Sequence, residues 1–415
     1  MNAAAIIAEY NPFHNGHQYH IEATKKATGA DAVVILMSGD YVQRGAPALI
    51  SKYTRAKQAL LCGADAVIML PVTAVLSSAL EYARCGVAIA DALNGVSHLS
   101  FGCECRNPQE QSLLYKSAQI LAAEPPALSA HLRHALKIGY TYPKASAYAL
   151  SAVMDLTQGE QRLLSAPNNI LAISYLRAIA EFASDLNPCM IERTGGGYHA
   201  KGDPALDISA GSVRSALFSG DAGISDSIRR SMPEKAWELL KPLQENHLML
   251  NENDFSLLLH TQLLTYQDRL LSDFPNEQQL IRRIIAFIET YPSFSEYAHF
   301  VKAKNHTLTS ICRLLMRITL GIDETYDKDL KSCMYIPYAR VLGFRRKSAG
   351  KLDRLLNESR LPVITRAVSG RDLTSPSARR LFRTDLVTSD IYRAVLEDKT
   401  NTAFKNDLRQ PLIIV

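Results

Sequence analysis

The sequence lacks the features that mark a membrane-embedded, secreted or disulfide-stabilised protein. No stretch of the 415 residues reaches the roughly 18 apolar residues that a membrane-spanning helix needs. The start, Met1 to Ala8, has no basic region, and its apolar run meets Glu9 at once, so no signal peptide is predicted. Seven cysteines, an odd number scattered over a long chain, argue against a disulfide framework. We therefore expect a cytoplasmic protein that makes no membrane contact.

Metal-ligand spacing and a P-loop are also missing. Only Cys103 and Cys105 lie close together among the cysteines, and no further ligands follow at the spacing of a zinc site. Buried thiols explain them better, and no metal site is predicted. No GxxxxGKS or GxxxxGKT motif occurs, which excludes the P-loop class of nucleotide site. The net charge of +5 suits nucleic acid and many anionic substrates alike, so charge alone does not identify a partner.

The first hundred residues have the pattern of an α/β sheet. Short apolar runs at residues 3–8, 32–37, 66–70 and 96–101 predict four strands. They alternate with predicted helices at residues 16–28, 52–62 and 73–93. Continuous apolar strands separated by helices are typical of a parallel sheet covered on both faces. We predict a Rossmann-like, doubly wound parallel sheet, which binds ligands beyond the carboxyl ends of its strands.

The pattern changes further along the chain. Residues 109–182 are predicted to be mostly helical, and another strand is expected at 189–193. We predict a catalytic nucleotide-binding domain over residues 1–220 that contains this helical insertion. Helical periodicity with few strand signals then predicts a second, mainly α-helical domain over residues 221–415.

The first βα turn, residues 9–20, reads EYNPFHNGHQYH. His14 and His17 are three apart at a helix start, so both imidazoles can face the carboxyl end of the first strand. The free amides and dipole of that helix end attract phosphate, and Gly16 lets the backbone approach a nucleotide. Histidine can donate hydrogen bonds to phosphate oxygens whose charge grows during nucleotidyl transfer. HxGH directly after a buried strand therefore predicts nucleotide binding, with ordinary surface and capping residues as the alternative.

This block resembles the bacterial tRNA(Met) cytidine acetate ligases, a branch of the HxGH nucleotidyltransferase superfamily. Further matches span most of the chain: Met37 to Gly39, Val42 to Gly45, Pro47 and Ala48, Lys52, Thr54 to Ala56, Leu70 to Val72, Phe101 and Gly102, Pro167 to Leu171, Arg193, and Tyr338 to Phe344. Departures occur at Asp40, Ala46, Ser51, Tyr53 and Ala200, where the family usually has Asn, Glu, Asp, Trp and Asp.

The resemblance implies an enzyme that activates acetate with ATP to acetyl-adenylate and pyrophosphate. The acetyl group then passes to the exocyclic N4 of the wobble cytidine in elongator tRNA(Met). Magnesium is expected to accompany ATP, without a dedicated protein ligand. His14 and His17 are the predicted catalytic residues.

The resemblance also implies a set of ATP-contacting positions. They are Ile7, Ala8, Glu9, Tyr10, Asn11, Pro12, Phe13, His14, Asn15, Gly16, His17, Gln18, Tyr19, His20, Gly102, Asn169 and Arg193. From the residues alone, Asn169 could equally be a helix N-cap and Arg193 a surface ion pair. Ser212 and Arg214 resemble the second phosphate motif of HxGH enzymes, although the serine could also be only a cap.

Basic residues point to tRNA as a partner. From residue 340 to 372, nine Arg or Lys residues face only three acids, and aromatic residues lie among them. Such a mixture suits a phosphate backbone and an unstacked base, although solvated helix faces look similar. The candidate tRNA-binding residues are Arg44, Lys52, Arg345, Arg346 and Lys347. Arg44 and Lys52 share a loop that could instead form a flap over ATP or carry ordinary solvated charges.

Other functions stay open at this point. A cofactor adenylyltransferase acting on a phosphorylated small molecule would need only the first domain and would leave the basic second domain unexplained. A non-catalytic RNA-binding protein with a relic nucleotide site would not need the intact His14, Gly16 and His17. A class I aminoacyl-tRNA synthetase should carry a KMSKS-like loop, for which Arg346 to Ser348 is a poor substitute.

Overall fold

The computed structural model describes residues 2–193, 209–219, 228–357 and 359–415. Within these ranges one sheet of eight strands forms the centre of the molecule. Its strands are Ala3–Ala8 (β1), Ala32–Ser38 (β2), Ala66–Leu70 (β5), Val96–Cys103 (β6), Asn187–Glu192 (β7), Ala339–Phe344 (β8), Val363–Ile364 (β9) and Ile413–Ile414 (β10). A separate small hairpin consists of Tyr41–Val42 (β3) and Ala46–Pro47 (β4).

Helices account for most of the remaining described chain. Those before residue 193 are Asn15–Thr28 (α1), Lys52–Leu61 (α2), Val72–Val75 (α3), Ala79–Ala92 (α4), Pro108–Ala123 (α5), Pro126–Lys137 (α6), Tyr142–Met154 (α7), Gln158–Ser165 (α8) and Pro167–Glu181 (α9). Those after residue 209 are Ala210–Ser219 (α10), Glu234–Glu245 (α11), Ser256–Asp273 (α12), Gln278–Ala286 (α13), Phe294–Phe300 (α14), Leu308–Leu320 (α15), Thr325–Ser332 (α16), Ala349–Asn357 (α17) and Pro376–Thr400 (α18). None of the described helices combines the length and apolar character needed to cross a bilayer.

The predicted fold class is confirmed. Strands β5, β2, β1, β6 and β7 lie side by side in that order, and all are parallel. Alternate residues of each strand face opposite layers, so Ala4 and Ile6 pack under α1 and α2, whereas Ala5 and Ile7 pack under α4, α5 and α9. Burial of both faces explains why these strands are continuous apolar runs.

The sheet also contains strands that the sequence pattern missed. β8 runs antiparallel to β5, with Met69 opposite Arg340 and Ala66 opposite Phe344, and β9 and β10 pair with β8. The expectation of few strands after residue 220 therefore overlooked an edge of the main sheet. β9 and β10 have only two residues each, and β8 pairs with a strand that is distant in sequence, so local periodicity does not reveal this edge. The predicted domain boundary at residue 220 lies outside the described residues and stays a prediction.

One predicted helix is two helices. Residues 73–93 were expected to form a single helix, but α3 ends at Val75 and α4 begins at Ala79. The break occurs because Ser78 caps α4: its side chain accepts from the amide of Glu81 at 3.2 Å.

A second apolar core lies against the β3–β4 hairpin. It is built mainly from α12 to α15 and includes Tyr41 of the hairpin and Tyr392 of α18. The Tyr41 hydroxyl donates to the Thr388 carbonyl at 3.0 Å, and the Tyr392 hydroxyl donates to the Ala48 carbonyl at 2.9 Å. The hairpin, which carries Arg44, is thus fixed between the sheet and the helical layer.

Candidate functional site

The site lies where the strand order of the sheet reverses. From β1 the chain builds outward through β2 and β5 on one side, and then crosses to β6 and β7 on the other. Loops after β1 and β6 therefore diverge and leave a crevice at the carboxyl ends of these strands, which is where doubly wound sheets bind ligands. Helix α1 begins in this crevice at Asn15.

Two histidines cap helix α1. His14 is the N-cap residue, and its Nδ1 accepts from the amide of Gly16 at 3.1 Å. In return, the amide of His14 donates to Nδ1 of His17 at 3.2 Å. This is a capping box in which imidazoles replace the usual Ser or Thr and Glu or Gln. Because a backbone N–H can only donate, both Nδ1 atoms are unprotonated, and each neutral ring carries its proton on Nε2.

The two imidazoles stack on each other in an apolar setting. Their ring centroids are 3.7 Å apart, and the ring of Tyr10 meets His17 edge-on at 4.8 Å. Burial, together with the positive charge of Arg193, lowers the pKa of His14 to about 4. Burial also lowers the pKa of His17 well below its usual value, aided by His14 and Arg193. At neutral pH both rings are therefore neutral hydrogen-bond donors through Nε2.

Gly16 is required by the histidine cap. A Cβ atom at this position would lie 3.0 Å from Cε1 and 3.1 Å from Nδ1 of His14. The sequence predicted that Gly16 allows close approach of a nucleotide; the structure gives a second reason, which is the room it leaves for the capping ring.

Arg193 follows β7 and faces the histidines. Its charge lowers the pKa values of His14, His17 and His20, so the four side chains share one electrostatic environment. Its aliphatic stem lies over Gly102, where an added Cβ would come within 3.1 Å of Cγ. The predicted pair Gly102 and Arg193 is thus brought together beside the cap.

Asn168 and Glu104 hold Arg193 in place, and sequence reasoning missed both roles. The guanidinium donates to Oδ1 of Asn168 at 3.3 Å. The Asn168 amide donates to the Glu104 carboxylate at 2.7 Å. Burial lowers the pKa of Arg193, and the Glu104 charge opposes that effect. The PNN sequence at the start of α9 was the only signal that could have pointed to Asn168.

Asn169 has a structural role in this arrangement. It is fully buried; its Oδ1 accepts from the amide of Glu104 at 2.8 Å, and its Nδ2 donates to the carbonyl of Leu163 at 2.9 Å. The side chain orders the loop that carries Glu104, and the direct contact between Asn169 and ATP stays a prediction that these hydrogen bonds do not support.

Arg214 and Arg44 approach the crevice from the other side. Arg214 of α10 donates to the carbonyl of Asn11 at 2.7 Å. Burial lowers the pKa of Arg214, and the nearby charge of Arg44 lowers it further. Ser212 is exposed and lies in the first turn of α10, where its amide donates to the Ser209 hydroxyl at 3.1 Å. The two residues of the predicted phosphate motif therefore have different contacts. Arg214 contacts the loop after β1, whereas Ser212 is hydrogen-bonded to Ser209 at the start of its own helix.

Most other residues of the 9–20 block build the loop. Tyr10, Pro12 and Phe13 are buried and Tyr19 is half-buried, while just before the block, at the end of β1, Ile7 is buried and Ala8 is half-buried. Glu9 accepts from the Gln43 amide, Asn11 accepts from the Leu49 amide, and Asn15 donates to the Arg230 carbonyl. The Gln18 amide donates to Glu22, and the His20 ring is hydrogen-bonded to Ser100. Burial, with the charge of Arg193, lowers the pKa of His20 to about 4.

Arg55 joins the loops after β1 and β2. Its guanidinium is fully buried and donates to the carbonyls of Glu9 at 2.6 Å and Ser38 at 3.1 Å, and also to those of Gly39 and Ile50. The carbonyls of Glu9, Ser38 and Gly39 lie at the ends of β1 and β2, where an unpaired buried carbonyl would be costly. Arg55 therefore shapes the floor of the crevice.

Lys52 is buried, so its binding of tRNA stays a prediction that the structure does not support. Its ammonium group is 1% exposed and pairs with Asp40 at 2.7 Å and Asp407 at 2.9 Å. Arg340 pairs with the same Asp407 at 2.8 Å. Burial alone would raise the pKa of Asp407, but Lys52 and Arg340 hold it well below its usual range. Lys52 thus belongs to an internal charge cluster that joins α2 to the region around Asp407.

Arg345, Arg346 and Lys347 lie far from the histidines along the sheet. They follow β8, whose end pairs with the start of β5, and the Arg345 amide donates to the Asp65 carbonyl at 2.9 Å. This is the amino-terminal edge of the parallel strands, opposite the crevice. Their binding of tRNA stays a prediction that the site geometry does not support. Among the described residues, no cluster of three or more His, Cys, Asp or Glu could hold a metal ion.

A doubly wound sheet with a histidine-capped helix at its switch point, ringed by arginines, defines a nucleotide-binding protein of the HxGH type. The family model of the HIGH Nucleotidyl Transferases matches residues 1–407. The chain belongs to this family and, within it, to the proteins named tRNA(Met) cytidine acetate ligase, which confirms the resemblance seen in the sequence.

Known relatives match over the whole length. The Thermoanaerobacter sp. tRNA(Met) cytidine acetate ligase is 34% identical over 414 residues, with 100% of both chains covered. That of Clostridium kluyveri is 31% identical over 421 residues, covering 100% of this chain and 99% of its own. The crystal structure of Thermotoga maritima TmcAL bound with alpha-thio ATP is 25% identical with a TM-score of 0.87, again covering 100% of both chains; its apo form gives 0.90.

Proposed function

We propose that this protein is an ATP-dependent ligase that joins acetate to a cytidine of tRNA(Met). The observation that carries the proposal is the paired imidazole cap, which leaves two neutral Nε2–H donors at the switch point of a nucleotide-binding sheet. The names of the full-length relatives and the ATP analogue in the Thermotoga maritima structure support it. The finer proposal is that the acceptor is N4 of the wobble cytidine in elongator tRNA(Met).

The first step forms an acyl-adenylate. An oxygen of acetate attacks the α-phosphorus of ATP, the bond to the bridging oxygen breaks, and pyrophosphate leaves. Negative charge grows on the phosphate oxygens during this step. His14 and His17 would donate Nε2–H to these oxygens, while Arg193 and Arg214 would pair with the remaining phosphate charge. No protein nucleophile is required.

Neutral histidines suit this task. A hydrogen bond from a neutral, buried donor becomes stronger as negative charge develops on the phosphate oxygen, because no water competes for that oxygen. The free amides at the start of α1 add a further attraction for anions. Magnesium would arrive with ATP and take oxygen ligands from the phosphates, since it binds few protein ligands in such sites.

The second step transfers the acetyl group. The cytidine N4 amine attacks the acetyl carbonyl, AMP leaves, and the nitrogen loses a proton. The cytidine must be held out of its stack to reach the adenylate, and water must be kept away until it arrives. A reaction that consumes ATP and tRNA fits the cytoplasm as the place of action.

The test is incubation of the purified protein with ATP, labelled acetate and total bacterial tRNA, followed by nucleoside analysis. Label is expected as N4-acetylcytidine, only with ATP present and not with His17→Ala. ATP binding and turnover without label, restored by a phosphorylated small molecule, would instead identify a cofactor adenylyltransferase. Tight tRNA binding with neither ATP binding nor turnover would identify a non-catalytic RNA-binding protein.

A further inference from the structure

Helices α6 and α7 form a hairpin whose sequence contains no acid. From residue 125 to 154 there is no Asp or Glu, although the whole protein has 41 in 415 residues. The same stretch carries Arg133, Lys137 and Lys144. A stretch of this length without acids is therefore a strong local bias toward positive charge.

The three cations of the hairpin are exposed and unpaired. Arg133 and Lys137 are one turn apart on α6, and Lys144 lies in the first half of α7. No carboxylate in the described parts of the chain lies within ion-pair distance of any of them. By contrast, Arg360 of the basic stretch at residues 340–372 pairs with Asp91, and Arg380 just beyond that stretch pairs with Asp329.

Tyrosines lie among these cations. Tyr142 is 47% exposed and Tyr148 is 39% exposed, so both side chains offer aromatic surface to a partner. Tyr140 meets Tyr148 edge-on, with ring centroids 6.0 Å apart at 90°. The Lys144 ammonium lies 4.3 Å from the centre of the Tyr140 ring. Aromatic faces next to cations can hold both a nucleobase and its phosphate.

The hairpin is anchored to the helix that serves the site. Arg177 of α9 donates to the Tyr142 hydroxyl at 3.2 Å. Arg177 follows Asn169 by eight residues, so this anchor lies about 12 Å along α9 from the loop that orders Arg193. A macromolecule that reaches the crevice could contact the hairpin at the same time.

We propose that the face formed by Arg133, Lys137, Tyr140, Tyr142, Lys144 and Tyr148, here called the hairpin face, docks the RNA substrate. The cations bind the phosphate backbone, and the exposed tyrosines stack on ribose or unstacked bases. RNA fits better than an acidic protein because exposed aromatics offer stacking surfaces beside the cations. The inference rests on the proposed function, which supplies tRNA as the substrate.

The test is the triple variant Arg133→Gln, Lys137→Gln, Lys144→Gln in the full-length protein. Its affinity for tRNA is expected to fall at least tenfold at moderate salt. The slope of log affinity against log salt concentration should become shallower by about 2 to 3, because each lost phosphate contact reduces the size of the slope by roughly 0.9. The rise in melting temperature that ATP causes should stay as in the unmodified protein, since the crevice is unchanged.

The matched control is Lys26→Gln, Lys57→Gln, Lys235→Gln, which removes the same charge from exposed lysines on α1, α2 and α11, over the other face of the sheet. Equal loss in both variants would show an effect of net charge only and overturn the proposal. Unchanged tRNA affinity in the hairpin variant would also overturn the proposal, and an acidic protein would then be the better partner for the hairpin face. Absence of tRNA binding by the unmodified protein would refute the proposed function itself.

Discussion

The imidazole of His17 accepts a hydrogen bond from the backbone amide of His14, and the imidazole of His14 accepts one from the backbone amide of Gly16. Each ring thus uses one nitrogen to hold the backbone and keeps the other as a donor. The capping of α1 and the donation to phosphate therefore depend on the same two side chains. A substitution separates these roles only if it keeps an acceptor in place of Nδ1 and removes the donor at Nε2, or the reverse.

His17→Asn and His17→Gln make that separation. The asparagine side chain can accept the His14 amide but has no donor near the position of Nε2, whereas glutamine extends to the Nε2 position. We expect His17→Asn to fold normally and lose about 100- to 1000-fold in kcat, as for loss of one transition-state donor. His17→Gln should keep more activity. Kinetics of adenylate formation, beside thermal unfolding, test this; an asparagine variant as active as the unmodified protein would rule out the donor role.

Gly16→Ala should disturb the cap. The new Cβ would lie 3.0 Å from the His14 ring, which must move. Activity is expected to fall at least tenfold, while stability changes by less than about 1 kcal/mol because alanine favours the helix. Gly350→Ala in α17 is the control: nothing lies within 4 Å of its Cβ, so the protein should gain up to about 1 kcal/mol and keep full activity. Full activity of Gly16→Ala would show that the ring tolerates the methyl group.

Glu104→Gln tests the support of Arg193. Loss of the carboxylate charge weakens its bond to Asn168, and we expect the Kd for ATP to rise about tenfold, or about 1.4 kcal/mol, with an unchanged melting temperature. Glu110→Gln in the first turn of α5, directly after this loop, is the control, because the Glu110 carboxylate accepts from the Arg106 amide and does not touch Asn168. Titration calorimetry measures both. Equal ATP affinity in the two variants would mean that Arg193 does not depend on this support.

Lys52→Met tests the buried charge cluster. Removal of the ammonium group takes away the ion-pair partner of the buried Asp40 and leaves Asp407 with Arg340 alone, so the free energy of unfolding should fall by about 3–5 kcal/mol. Arg229→Gln, which breaks a pair that is more than half exposed on both sides, should cost less than about 1 kcal/mol. Urea unfolding measures both. A stable Lys52→Met protein with weakened tRNA binding would restore the original prediction from sequence.

The buried histidines predict a dependence of stability on pH. Folding lowers the pKa of His20 from 6.5 to about 4. Between these two pH values the ring is protonated in the unfolded chain and neutral in the folded protein. Stability contributed by the neutral ring is therefore present above pH 6.5 and lost as the pH falls toward 4. His20→Asn should reduce the loss between pH 7 and pH 5 by about 2 kcal/mol. Identical pH profiles for the two proteins would show that folding does not lower the pKa of His20.

The five parallel strands and the position of the histidines followed from sequence because each depends on a local pattern. The bounds of β1 and β5 coincide with the predicted apolar runs. The roles of Asn168 and Asn169 could not be assigned, because successive residues of a helix point about 100° apart and only packing decides which one faces inward. The burial of Lys52 could not be predicted for a related reason: its partner Asp407 is distant in sequence, and no local pattern reveals such a pair.

The edge of the sheet has a consequence for how the protein is made. β10 pairs beside β8, and β8 beside β5, so residues near 413 complete a sheet that begins at residue 3. A ribosome delivers β5 long before β8, and domains acquire their structure in the order in which they emerge. During translation the nascent polypeptide must therefore carry β5 with an unpaired border until β8 is released, and that border is where a chaperone would be expected to bind.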